Sequence, residues 1–192
     1  LSFDDDSFDV VFCSGVLHHV PKLGPSLEEF RRVLRPRGLL IACEPNENHF
    51  AAQNPELAYA HLCLRHFLRR AVDDARATEP EAHEFHRSFD FAEAVEEIGE
   101  YFGVIGFQTD LMVSYFYGVC SLVVTQERLS ELDETLRGIP GLNLVVVARN
   151  GETGVDGSVE QHVAALRRPP AVSVDHVRCL LEFAKACFEE HE

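Results

Sequence analysis

Apolar and polar positions along this chain change period several times, and each change predicts an element. The first strong apolar run is Phe8-Asp9-Val10-Val11-Phe12-Cys13, bounded upstream by Asp4-Asp5-Asp6-Ser7 and downstream by the small residues Ser14 and Gly15. It predicts a buried strand opened by Asp9, a tight turn, and a short helix through Val16-Leu17-His18-His19-Val20. A second helix follows. Gly24 is placed as its N-cap and Pro25 as its first residue, where a missing N–H costs nothing. Leu27, Phe30, Val33 and Leu34 fall on one face at helical spacing. Glu28 and Glu29 lie towards the positive end of the helix dipole, and Arg31, Arg32 and Arg35 towards the negative end. Pro36 and Gly38 stop it. Leu39-Leu40-Ile41-Ala42-Cys43 is an unbroken apolar run and predicts a parallel strand buried on both faces. Strand, crossover helix and strand make a right-handed unit, so both strands end on the same edge of their sheet. Cys13-Ser14 and Cys43-Glu44 therefore meet there, at the carboxyl ends where open α/β sheets bind ligands.

Downstream the pattern loosens. Positions 47–88 are rich in His, Glu, Arg and Ala, with a helical run from about Pro55 to Ala75. His61 and Arg65 share a helix face there, and His83-Glu84-Phe85-His86 lacks metalloprotease spacing and reads as loop. Asp90 and Glu93 make a capping box ahead of the stripe Phe91, Val95, Ile98 and Phe102. Phe107 to Val113 and Gly118 to Val124 read as strands, and Leu129, Leu132 and Leu136 mark a further helix. Leu142 to Arg149 is a strong strand, and Asn150-Gly151 a turn. Glu152 to Ser158 reads as a linker. Val159 to Arg167 and Val174 to Glu190 read as two helices, the second with an apolar face of Val177, Leu180, Leu181, Ala184 and Phe188.

Charge narrows the partners. With 17 basic and 32 acidic residues in 192, the net charge is −15. That balance argues against nucleic acid, whose phosphates are bound by Lys and Arg, and against an anionic membrane surface. Arg65, Arg69 and Arg70 form a small basic patch that reads as a solvated helix face. The six cysteines contain no Cys-x-x-Cys pair and read as reduced thiols of a cytoplasmic protein rather than as zinc ligands. No apolar run approaches the ~20 residues of a membrane helix.

The residues from Leu1 to Asn46 resemble one family closely and in order. An acidic lead-in to a strand, the turn Ser14-Gly15-Val16-Leu17-His18-His19-Val20, the helix end Arg31-Arg32-Val33-Leu34-Arg35-Pro36-Arg37-Gly38 and the strand end Glu44-Pro45-Asn46 resemble the class I S-adenosylmethionine-dependent methyltransferases that act mostly on small molecules. The family usually carries Gly where this chain has Arg37. The resemblance implies an α/β fold: a partial Rossmann-like sheet of parallel strands plus an antiparallel final strand. It implies a methyltransferase-like domain over 1–150, with 47–88 as a helical insertion over the site, and 151–192 as a linker and C-terminal helices. It also implies that the family's first strands and glycine-rich loop lie outside this chain, which would then be an incomplete part of the enzyme. The strand after Phe8 would leave an open sheet edge.

Methyl transfer from a sulfonium needs donor and acceptor held in line and, for some acceptors, a proton removed. By resemblance, Ser14, Gly15, Val16, Leu17 and His19 are the candidate S-adenosylmethionine contacts. His18 or His19 is a candidate general base, since imidazole titrates near neutral pH, and either also reads as a hydrogen-bonded structural residue of the turn. Glu44, at a strand's carboxyl end, is an acid/base or substrate-contact candidate. No metal is expected. The expected partner is a small-molecule acceptor that no motif specifies, and the C-terminal helices or the open edge offer oligomer contacts. A reading of another class is a non-catalytic methyltransferase-like module that binds protein. Half of a nucleotide-dependent dehydrogenase is a third, for which the Gly-x-Gly-x-x-Gly fingerprint is missing.

Overall fold

A computed structural model describes residues 2–47, 89–110, 127, 130, 134, 140–141, 143–168 and 173–189. The chain divides into two compact units. One holds Leu1–Asn48, His83–Thr109 and Asn143–Arg168; the other holds His49–Ala82, Asp110–Leu142 and Pro169–Glu192.

In the first unit, strand β1 (Phe8–Ser14) leads through a 3-10 turn, Leu17–His19, into helix α1 (Leu23–Val33) and strand β2 (Leu34–Pro45). Helix α2 (Phe91–Gly99) and strands β3 (Gly103–Asp110), β4 (Asn143–Arg149) and β5 (Gly154–Val155) follow, then helix α3 (Gly157–Leu166). The sheet order is β1-β2-β4-β3-β5. β1 and β2 are parallel, β2 and β4 antiparallel, and β3 and β5 parallel. The expected α/β architecture, parallel strands with an antiparallel strand ending Val-Val-Ala-Arg, is the one observed.

Register decides which side chains are buried. Leu40 sits opposite Ala148, Ala42 opposite Val146, and Glu44 opposite Leu144. All six are essentially sealed from water and line one face of the sheet. Cys13 joins them across from Ala42. Leu17, Leu23, Leu27, Phe91, Val95, Ile98, Val159 and Val163 on α1, α2, α3 and the turn complete the core, with Phe102 between α2 and β3. Glu44 is thus the last residue of a fully apolar row, which is why its partners matter.

Several expectations need correction. α1 begins at Leu23 with Lys22 at its N-cap, and no side chain caps it. Pro25 therefore sits in the first turn rather than at its first residue, still among the N–H groups that have no intrahelical acceptor. The helix ends at Val33, and β2 starts at once. The Arg35-Pro36-Arg37-Gly38 stretch is an excursion between the pairs Phe8↔Leu34 and Val10↔Leu39, with Arg37 at φ +66°. β1 is not a buried strand throughout, and β2 is not sealed on both faces. Val10 and Phe12 are 47% and 66% exposed, and Leu39 and Ile41 are half-buried on that same face. The reason is alternation, which turns those residues to the face of the sheet opposite the core. The stretch read as a linker contains β5 and the Asp156 cap of α3, whose side chain accepts from Ser158 N–H at 2.8 Å. The strand read over 107–113 starts earlier, at Gly103.

Other expectations held. Asp90 caps α2, accepting from the N–H groups of Ala92 and Glu93 at 2.8 and 3.0 Å, and the Phe91, Val95, Ile98, Phe102 stripe is buried. Cys13, Cys43 and Cys179 are free thiols. In the second unit, helix α4 (Val174–Glu189) matches its predicted span closely. The helix over 55–75, His61, Arg65, Arg69, Arg70, the 83–86 loop and the 118–124 strand lie outside the described residues, as does most of the 129–136 helix, of which 130 and 134 are helical.

Candidate functional site

The turn after β1 is fastened to the end of β2 amide by amide. Gly15, at φ +63°, donates its N–H to the Cys43 carbonyl at 2.8 Å. The next three N–H groups all go to one carboxylate. Glu44 Oε1 accepts from Val16 at 3.1 Å and Leu17 at 2.8 Å; Oε2 accepts from His18 N–H at 3.3 Å. The His18 ring closes the set, with Nδ1 2.7 Å from the same Oε2. His19 and Val20 then donate back to the carbonyls of Val16 and Leu17, each at 3.0 Å, which makes the turn 3-10.

Burial makes this arrangement consequential. Glu44 is 2% exposed and His18 6%. A carboxylate in such a place is strongly unfavourable unless its lone pairs are met, and here four donors meet about four acceptor sites. The charge is felt close by. The Cys13 thiol, on the same face of the sheet, is pushed up from 9.0 to about 12, by burial first and then by Glu44 and Cys43. His19 is half-buried, its ring 3.9 Å from that of His18 and tilted by 44°.

The structure therefore brings all the candidate residues to one rim. Ser14, Gly15 and Val16 are exposed; Leu17 is buried in the core beneath them. His18, His19 and Glu44 stand together at the carboxyl ends of two adjacent parallel strands. Sequence reasoning reached this proximity from the strand–helix–strand geometry but missed the acceptor role of Glu44 towards the turn. It also passed over Asn143, opposite Pro45 in β4, which is buried and whose Nδ2 has no hydrogen-bond partner among the described residues. The signal available for it was a polar residue inside the apolar run 142–148.

Residues 1–42 match the family model described as a methyltransferase domain. This stretch is similar to methyltransferase sequence. The methyltransferase match covers β1, the turn, α1 and most of β2, and stops two residues short of Glu44. A probable methyltransferase of Aspergillus luteorubrus is 39% identical over 75 residues, 38% of this chain and 25% of that protein. A highly reducing polyketide synthase of Gibberella zeae is 46% identical over 46 residues, 24% of this chain and 2% of the synthase. The chain thus spans a quarter or less of these relatives' lengths. Among solved structures, an S-adenosylmethionine-dependent methyltransferase of Methanosarcina mazei aligns with 78% of this chain and 62% of its own, at 18% identity and a TM-score of 0.41.

Proposed function

We propose that this chain contributes to S-adenosylmethionine-dependent methyl transfer to a small-molecule acceptor, with the turn Ser14–Leu17 forming one wall of the cofactor site. The observation that carries the reading is the committed state of the turn's amides. Phosphate-bearing cofactors are held at such turns by free backbone N–H groups. Here the N–H groups of Gly15, Val16, Leu17 and His18 are all occupied, three of them by the protein's own carboxylate. What the turn can still offer are carbonyl oxygens, small side chains and imidazole beside a buried negative charge. That chemistry suits a cofactor with a sulfonium and an amino group and disfavours a dinucleotide.

In this reading Ser14, Gly15 and Val16 approach the cofactor through small, exposed surfaces, and Leu17 backs the wall from the core. His19, the more exposed imidazole, contacts cofactor or acceptor. His18, whose Nδ1 lies 2.7 Å from Glu44 Oε2, is a general-base candidate for acceptors that must lose a proton. S-adenosylmethionine supplies the methyl group on a sulfonium that is already a good leaving group; the residues orient and deprotonate. Calorimetric titration of S-adenosylmethionine into the chain tests this. Weak, saturable binding that is lost in Gly15→Val, whose β-branched side chain resists φ +63°, supports it. No heat at millimolar ligand, or binding untouched by the substitution, overturns it.

The exposed Val10 and Phe12 on an edge strand favour a second reading, a non-catalytic interaction module. A discrete oligomer with no S-adenosylmethionine binding would select it.

A further inference from the structure

We propose that Glu44 is a positioning residue, one that shapes the turn and orients His18 rather than carrying a proton itself. The inference rests on the reading of the turn as a cofactor wall, and it assigns Glu44 a role other than the acid/base one its place at a strand end suggests. An ionised carboxylate has about four lone-pair sites. Those of Glu44 face four donors: the N–H groups of Val16, Leu17 and His18, and His18 Nδ1. A proton delivered from an acceptor molecule would have to displace one of them and loosen the turn. The side chain is also sealed from water at the end of an apolar row, between Leu144 across the strand pair and Leu17 on the turn. No approach for a reacting atom is compatible with keeping those partners.

The same bonds explain what the carboxylate accomplishes. β1 and β2 are bonded side by side up to Ser14↔Cys43, where the regular ladder stops. Beyond it the chain must turn without leaving buried N–H groups unpaired. Glu44 extends the attachment by three residues. It fixes where Ser14, Gly15 and Val16 are displayed, and it puts the His18 Nδ1 proton on the shared bond, so that Nε2 is the ring's remaining nitrogen. A Gln at this position keeps the shape but offers one acceptor oxygen, and its NH₂ group meets donors.

Hydrogen exchange on the whole chain, wild type against Glu44→Gln, tests the assignment. The Val16, Leu17 and His18 amides are expected to exchange at least about tenfold faster in the variant, while the Ile41 and Val147 amides in the sheet keep their protection. Binding of S-adenosylhomocysteine, measured by equilibrium dialysis, is expected to weaken by about tenfold in parallel. Unchanged protection at all three turn amides overturns the proposal. If the Gln variant fails to fold, the nitrogen-15 spectrum of His18 in the wild type decides instead: a protonated Nδ1 supports the shared bond, and an Nε2–H tautomer with bare Nδ1 contradicts it. A wild-type chain that binds no S-adenosylhomocysteine but shows the exchange effect refutes the cofactor reading and leaves the turn-holding role standing.

Discussion

Gly15, in the turn of the site, and Arg37, at the opposite end of β2, both sit in the left-handed region, and they show how much a single position can carry. Gly15 adopts φ +63° at no steric cost. Arg37 adopts φ +66°, where the resembling family carries Gly, and its N–H still donates to Asn150 at 3.1 Å. A non-glycine side chain there is strained by about 1–2 kcal/mol. Arg37→Gly should therefore raise unfolding stability by up to about 1 kcal/mol once the looser unfolded chain is counted; a lower denaturation midpoint would contradict this. Cys13 gives a pH signature. Its folded thiol keeps its proton until about pH 12, whereas an unfolded one releases it above about 9. Between those values the unfolded state binds fewer protons, so stability falls as pH rises. The stability difference between wild type and Cys13→Ala should be flat below about pH 9 and shift against the wild type above it, read from denaturant curves. A difference that stays flat to pH 11 would refute the assignment. None of this was legible in the residues themselves. A cysteine in an apolar run announces burial, but its neighbouring carboxylate lies 31 positions away, and only register brings them together.

At the scale of elements, local signals were read well and long-range ones were not. The Asp90 cap and the α2 stripe depend on residues three or four apart, and both appear as expected. The two ends of α1 were misplaced for contrasting reasons. Its start has no capping side chain to mark it. Its end is closed from far away by Asn150, whose Nδ2 donates to the carbonyls of Arg31, Leu34 and Arg35 at 3.0, 2.8 and 3.2 Å. Sequence reading saw only a turn at Asn150-Gly151, because a bond spanning more than a hundred residues leaves no periodicity. Asn150→Ala should cost about 1–3 kcal/mol by orphaning these carbonyls. Asn150→Asp should cost more, since it brings a carboxylate against three acceptors. Chemical denaturation with Asp no worse than Ala would contradict the geometry.

For the whole molecule, the strand–helix–strand rule was enough to predict that His18, His19 and Glu44 share one rim, and the sheet order bears that out. The resemblance placed an open edge at β1, where the sheet order puts it, but the exposed face of the strand was not legible, because the apolar run read as buried. Two alternating positions of that run face away from the core, and no periodicity within it says so. The site's central claim is that the linked ends of β1 and β2 receive the cofactor. It is tested most directly by titrating S-adenosylmethionine into nitrogen-15-labelled chain and following the backbone amides. The account predicts saturable shifts centred on Gly15, Val16, Leu17 and His19. Amides there that stay still while others move, or a spectrum unchanged at millimolar ligand, would contradict it.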